Sequence, residues 1–139
     1  MKTQKIILDT NVLFAGLYSS AGASFKVLRL IQDKTLNPVI STTLLFEYED
    51  VLKRKKELLE LADHEIEVVL DNLCYYSEYQ KIYYLWRPYL KDPKDDHVLE
   101  LAVASQAGII VTHNLKDFKG VDRFNIQTVT PKKLLENLK

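Results

Sequence analysis

Short apolar runs alternate with stretches of helical spacing along this chain, and that alternation leaves few folds open. Residues 5–8, 37–40, 109–112 and 124–129 read as strands, and the aromatic-rich stretch 80–85 reads as a further one. Between them, residues 24–33 and a segment from Ser41 or Thr42 to about Arg54 carry apolar side chains at three- and four-residue spacing. The second of these sets Leu44, Leu45, Tyr48, Val51 and Leu52 in one stripe. Asp63 caps a helix with Ile66, Val69, Leu70, Leu73 and Cys74 on one face, and Tyr75 and Tyr76 are expected beneath the strand that follows. Asp95 opens another helix, with Val98, Leu99, Leu101, Ala102 and Val103 on its apolar face and Gly108 as its stop. Thr130-Pro131 starts the last helix with a cap and a proline at the first position. Strands separated by helices pair in parallel, so the expected architecture is an α/β/α three-layer sandwich around a mostly parallel sheet. At 139 residues the chain makes one domain, residues 1–139, without repeats or linkers.

Charge excludes a polyanion-binding protein of the ordinary basic kind, since 19 basic and 19 acidic side chains leave a formal net charge of zero. Any nucleic acid must be met locally. Cys74 is the sole cysteine, so no internal disulfide forms, and its place among apolar residues predicts a buried thiol in a reducing, cytoplasmic compartment. Ala21-Gly22-Ala23 resembles a signal-peptide end, but Asp9 and Asn11 interrupt the apolar stretch before it, which argues against export. No segment approaches the roughly 20 apolar residues of a membrane span.

The chemistry-bearing residues are acids at strand ends and helix starts. Ile6-Ile7-Leu8 is broken by Asp9 where a buried strand should finish, at the sheet edge where α/β proteins place their sites. Glu47, Asp92-Pro93-Lys94-Asp95-Asp96 and Val111-Thr112-His113-Asn114-Leu115-Lys116-Asp117-Phe118 add further acids at comparable positions. On a wheel of about 100° per residue, Asp95 begins the buried face marked by Leu99 and Ala102, Asp96 turns to the flank, and Glu100 and His97 point to solvent. Glu47 lies beside Leu44 and Val51 at one edge of its stripe and Glu49 at the other, so geometry alone leaves the choice between them open. Phe46 faces outward and Asp50 is exposed. Taken singly, Asp9 and Asp95 are equally explained as helix caps, Glu47 as a border residue and Asp117 as a turn residue. Convergence at one sheet edge is what distinguishes a site from four separate caps. Hard oxygen donors without a Cys or His cluster select Mg²⁺ or Mn²⁺ over zinc, and His64, His97 and His113 are scattered. With no Gly-rich phosphate cradle and no nucleophile paired to a base, metal-assisted hydrolysis is the chemistry left.

Leu8-Asp9-Thr10-Asn11-Val12-Leu13, Ile40-Ser41 through Glu47 to Val51-Leu52, Asp92 through Asp95 to Leu99 and Ala102, and Val111-Thr112 through Asn114 to Asp117-Phe118 resemble the motifs of PIN-domain nucleases. That family includes the VapC-like toxins of toxin-antitoxin pairs. The resemblance runs through most of the chain and implies a five-stranded parallel sheet and a Mg²⁺ or Mn²⁺ site that cuts RNA. It matches Asp9, Glu47 and Asp95 to the three recurrent acids and so favours Glu47 over Glu49. Many relatives carry aspartate where this chain has Asn114, so either Asp117 supplies the last carboxylate or Asn114 contributes a neutral oxygen. By the same resemblance Asp96 is a reserve ligand, and Thr10, Asn11 and Thr112 orient the acids through hydrogen bonds. Lys53-Arg54-Lys55-Lys56, with Lys94 and Lys116 nearer the acids, would grip RNA, though cations also suit any solvated helix end. The resemblance further implies a homodimer, to which Phe46 and the tyrosines of 75–84 point, and an antitoxin protein as partner. Two other functions compete. An aspartyl-phosphate phosphatase would require a second aspartate two positions on, which Asp9-Thr10-Asn11 lacks, and a receiver domain an acidic pair before the first strand, where this chain has none, whereas a PIN-like module with an impaired site, binding RNA or a partner without cutting, suits the neutral composition and Asn114.

Overall fold

The computed structural model describes residues 4–82 and 89–138. Strand β1 (Gln4–Leu8) is followed by helices α1 (Thr10–Tyr18) and α2 (Ala23–Gln32), strand β2 (Leu36–Ile40), helices α3 (Thr42–Arg54), α4 (Lys56–Leu59) and α5 (Asp63–Tyr76), and the short strand β3 (Glu78–Tyr79). After a 3₁₀ turn at Pro93–Asp95 come α6 (Asp96–Ser105), β4 (Ile109–Val111), two further 3₁₀ turns, β5 (Gln127–Val129) and α7 (Pro131–Asn137). The strands form a 5-stranded sheet in the order β3-β2-β1-β4-β5, and every pairing is parallel. Parallel crossovers keep one hand, so the helices met while stepping outward from β1 to β3 and the α6 crossover that returns to β4 cover opposite faces. The expected three-layer α/β sandwich is therefore the observed one.

Strand β1 sits at the centre because it is apolar on both sides: Ile6, Ile7 and Leu8 are fully buried. Its neighbours β2 and β4 lie on either side, and the direction of the chain reverses between β1 and β4. That break opens a crevice at the carboxyl ends of the two strands. Helix α3 begins where Ser41 accepts a hydrogen bond from the Leu44 amide, and it buries Leu44, Tyr48 and Leu52. The Tyr48 hydroxyl donates to the Leu8 carbonyl, tying α3 to the last residue of β1 before the crevice. Helices α1 and α2 pack tightly over Gly16, where a Cβ would stand 2.5 Å from Leu28 Cδ1 and 3.1 Å from the Ser24 carbonyl oxygen.

Several expected boundaries move. The strand expected at 80–85 lies two residues earlier, where Glu78 and Tyr79 pair with Val39 and Ile40, while residues 83–85 fall outside the described residues. Tyr76 packs against the core, whereas Tyr75 is exposed. The strand expected from Phe124 begins only at Gln127, because Val121–Phe124 coils into a 3₁₀ turn closed by Asn125 at φ 66°. Asp63 is the first residue of α5 and not its cap; the helix start is instead tied by Glu65, whose carboxylate accepts from the Ala62 amide. Cys74 is half-buried where full burial was expected. No helix among the described residues is long and apolar enough to cross a membrane.

The Tyr48–Leu8 hydrogen bond spans the core at the point where β1 delivers its chain to the crevice. Tyr48→Phe leaves a buried carbonyl without its donor and is expected to lower the unfolding free energy by about 1–2 kcal/mol in urea titration. An unchanged midpoint and slope would show that the hydroxyl contributes nothing.

Candidate active site

Asp9 ends β1 and caps α1, and the same carboxylate faces the crevice. One oxygen accepts from the Thr10 amide at 2.9 Å, and the other from the Thr112 hydroxyl at 2.7 Å and the Asn11 amide group at 3.3 Å. Thr112 follows β4 directly, so this carboxylate bridges the strands on either side of the topological break. The cap and the site are one residue in two roles. Burial raises the Asp9 pKa above 3.8, only partly offset by the Thr112 and Thr10 hydrogen bonds.

Glu47 comes from the first half of α3. One oxygen takes the Thr10 hydroxyl hydrogen bond and the other lies 2.9 Å from His97 Nε2. Burial pushes this carboxyl upward, but the hydrogen bonds from His97 and Thr10 together outweigh it and hold the pKa below 4.5. Glu47 is thus kept ionised, at the centre of a chain of contacts from α1 through α3 to α6. Glu49, the rejected alternative, instead pairs with Lys53 at 3.1 Å.

Asp95 closes the 3₁₀ turn at the entrance to α6, a turn capped by Asp92, whose carboxylate accepts from the Lys94 amide. The expected helix start at Asp95 shifts to Asp96, and Asp95 makes no capping hydrogen bond. Its pKa rises from 3.8 to about 6, first through desolvation and then through the nearby carboxylates of Asp9, Asp117, Asp92 and Glu47. Asp9, Glu47, Asp92, Asp95, Asp117 and Asn114 all line one cavity at the carboxyl edge of the sheet. A set of acids repelling one another in a half-buried crevice favours a cation there.

Three expectations about orientation are corrected. Asp96, placed as a reserve ligand, is fully buried and accepts from the Tyr89 and Leu90 amides at 3.2 and 2.7 Å; it lies off the cavity and fastens the approach to α6. His97, expected on the surface, is buried against Glu47, and Glu100, expected in solvent, is buried too. A wheel treats a helix as having one dry face, but α6 packs against β1, β2, β4 and α3, so nearly all its sides are dry. His97 was therefore missed from the sequence, and Asp92, named there among the acids, was given no role of its own although it lines the cavity. Besides holding Asp9, Asn11 and Thr112 are linked by a 3.3 Å hydrogen bond, and Thr112 accepts from the Asn114 amide.

The basic run is not a free patch. Lys53 pairs with Glu49 and Glu67, Arg54 with Asp50 and Lys56 with Asp63. Arg54, Lys55 and Lys94 reach the cavity wall, while Lys116 is exposed on the turn that carries Asp117.

Fold and cavity together define an α/β protein with an acidic crevice at its topological break. A profile of the PIN domain matches residues 5–116. The chain belongs to the PIN-domain family. Among solved structures it is similar to a chain of VapBC2 from Rickettsia felis, crystallised with a DNA fragment from its promoter, with a TM-score of 0.64 at 18% identity over 91% of this chain and 98% of that one. A search of curated protein sequences finds no match.

The raised Asp95 pKa has a consequence for stability. A carboxyl whose folded pKa lies above its unfolded value stabilises the fold below about pH 4, and that contribution is lost as pH rises through about 6. Asp95→Asn removes the loss. In divalent-free buffer the variant is expected to be more stable than wild type by about 1 kcal/mol near pH 8, solvent screening having reduced the effect at a part-exposed carboxylate, with the gap closing near pH 4. Thermal melts at the two pH values check this, and a gap that does not change with pH contradicts it.

Proposed function

We propose that the protein is a Mg²⁺- or Mn²⁺-dependent endoribonuclease, the toxin of a toxin-antitoxin pair, acting in the cytoplasm as a homodimer. The observation that carries this reading is the raised Asp95 pKa in a cavity lined by Asp9, Glu47 and Asp117. The donor chemistry suits a hard divalent ion, since these groups are oxygen acids, and Asp9 and Glu47 are held by hydrogen bonds from Thr10, Asn11, Thr112 and His97. Among the described residues no three His, Cys, Asp or Glu side chains stand together as a finished cage. Asp9, Glu47, Asp95 and Asp117 would hold the ion, with the Asn114 amide oxygen as a neutral donor.

When bound, a divalent ion supplies the positive charge that acidifies water and offsets charge growing on phosphoryl oxygens. The protein's part is to prepare the ground. Thr112 and Thr10 fix the Asp9 carboxylate between two strands, and His97 and Thr10 fix Glu47. Arg54, Lys55 and Lys94 on the cavity wall meet the phosphates of the incoming chain. The exposed pairs that occupy Arg54, Lys53 and Lys56 are weak enough to exchange for phosphate. The similarity to a chain of VapBC2 supports the antitoxin partner. Exposed Phe46 on α3 and exposed Tyr75 and Tyr79 support self-association.

Cleavage of a labelled RNA should require Mg²⁺ or Mn²⁺, vanish with EDTA, and fall at least about a hundredfold in Asp9→Asn and Asp95→Asn while both variants stay folded. Tight RNA binding without cleavage at any Mn²⁺ concentration would instead make the chain a binding module, a result that Asn114 at the cavity would then explain.

A further inference from the structure

Helix α1 carries a pair of rings that the acidic crevice does not account for. Phe14 lines the cavity, and Tyr18, one turn further along, stacks on it with centroids 5.8 Å apart and planes 12° apart. Tyr18 is 61% exposed, so its ring stands open to water on the helix that Asp9 caps, behind the Phe14 wall of the cavity. Lys55 Nζ stands 4.8 Å from the centroid of Phe14 and also lines the cavity. Its neighbours Lys53, Arg54 and Lys56 are paired with carboxylates, whereas Lys55 has no carboxylate partner among the described residues. An exposed ring stacked on a second ring, a cation over that second ring and a cavity lined by the second ring and the cation are the elements of a single-strand nucleic-acid site.

We propose that Tyr18, backed by Phe14, is a stacking platform for an unpaired nucleobase near the linkage held at the acids, with Lys55 facing the phosphates that join them. The substrate is then RNA with an unstacked base at that position, because a base inside a duplex offers no free face. The proposal rests on the nuclease reading and deepens it. A protein partner seated on Tyr18 would use the ring's edge and hydroxyl as readily as its face, and would gain nothing from Lys55 over Phe14 or from the carboxylates beyond. Stacking on a ring is indifferent to sequence, so the platform selects for strandedness and not for a particular base.

The test is binding of a short single-stranded RNA carrying 2-aminopurine to the Asp95→Asn protein, which does not cut it. Stacking on Tyr18 quenches the fluorescent base. Adding Tyr18→Ala to that protein is expected to weaken binding about tenfold and abolish the quench, while Tyr18→Trp restores both. RNA with abasic sites should bind equally with and without the Tyr18→Ala change, and a blunt duplex should show no dependence on residue 18. The proposal is overturned if Tyr18→Ala leaves affinity and quenching intact, if it weakens abasic RNA as much as intact RNA, or if it removes only the capture of a purified partner protein. RNA that binds no form of the protein sinks the nuclease reading as well, whereas binding that ignores bases sinks the platform alone.

Discussion

Mutual repulsion among carboxylates at the break between β1 and β4 governs the arrangement around it. Desolvation first, and then the charges of Asp9, Asp117, Asp92 and Glu47, raise the Asp95 pKa, so acids from four separate stretches of chain share one half-buried field. Two of them are met by donors: Thr10 and Thr112 give to Asp9, and His97 and Thr10 to Glu47. Such a cluster opposes folding unless protons or a cation neutralise it. The rest of the domain is a scaffold stiff enough to hold it, with Ile6, Ile7 and Leu8 of β1 fully buried and Tyr48 bonded across to the strand's last carbonyl.

Thr10 links the two carboxylates that anchor this arrangement. Its amide reaches Asp9 and its hydroxyl reaches Glu47, so the first residue of α1 sets the spacing between β1 and α3. His97 extends the link to α6. Among the described residues its Nδ1 has no hydrogen-bond partner, and its Nε2 faces the Glu47 carboxylate, which accepts. A change in any of these three helices is felt at the same carboxylate.

How much of this was legible in the sequence depended on whether a residue's role was local. The parallel sheet was readable because buried strands are continuous apolar runs, and Ile6-Ile7-Leu8 is one. Asp9 was readable as both cap and site acid because strand-end position implies each. Glu47 was separable from Glu49 only through the family resemblance, since both sit on the border of the same stripe; the contact that distinguishes them comes from Thr10 and His97, far away in the chain. Asp96, His97 and Glu100 were misplaced for one reason: α6 crosses the sheet with other elements packed around it, and a helix dry on most sides shows no amphipathic pattern. The basic run 53–56 looked like an open patch because two of its partners, Glu67 and Asp63, come from α5, while Glu49 and Asp50 pair with Lys53 and Arg54 within α3.

The central claim is that these acids share one field and that a hard divalent ion relieves it. A carbon-13 NMR titration of the Asp95 side-chain carboxyl tests this directly. The account predicts a midpoint near 6 in divalent-free buffer and a marked fall when Mg²⁺ is added. A midpoint near 3.8 that ignores Mg²⁺ would contradict it.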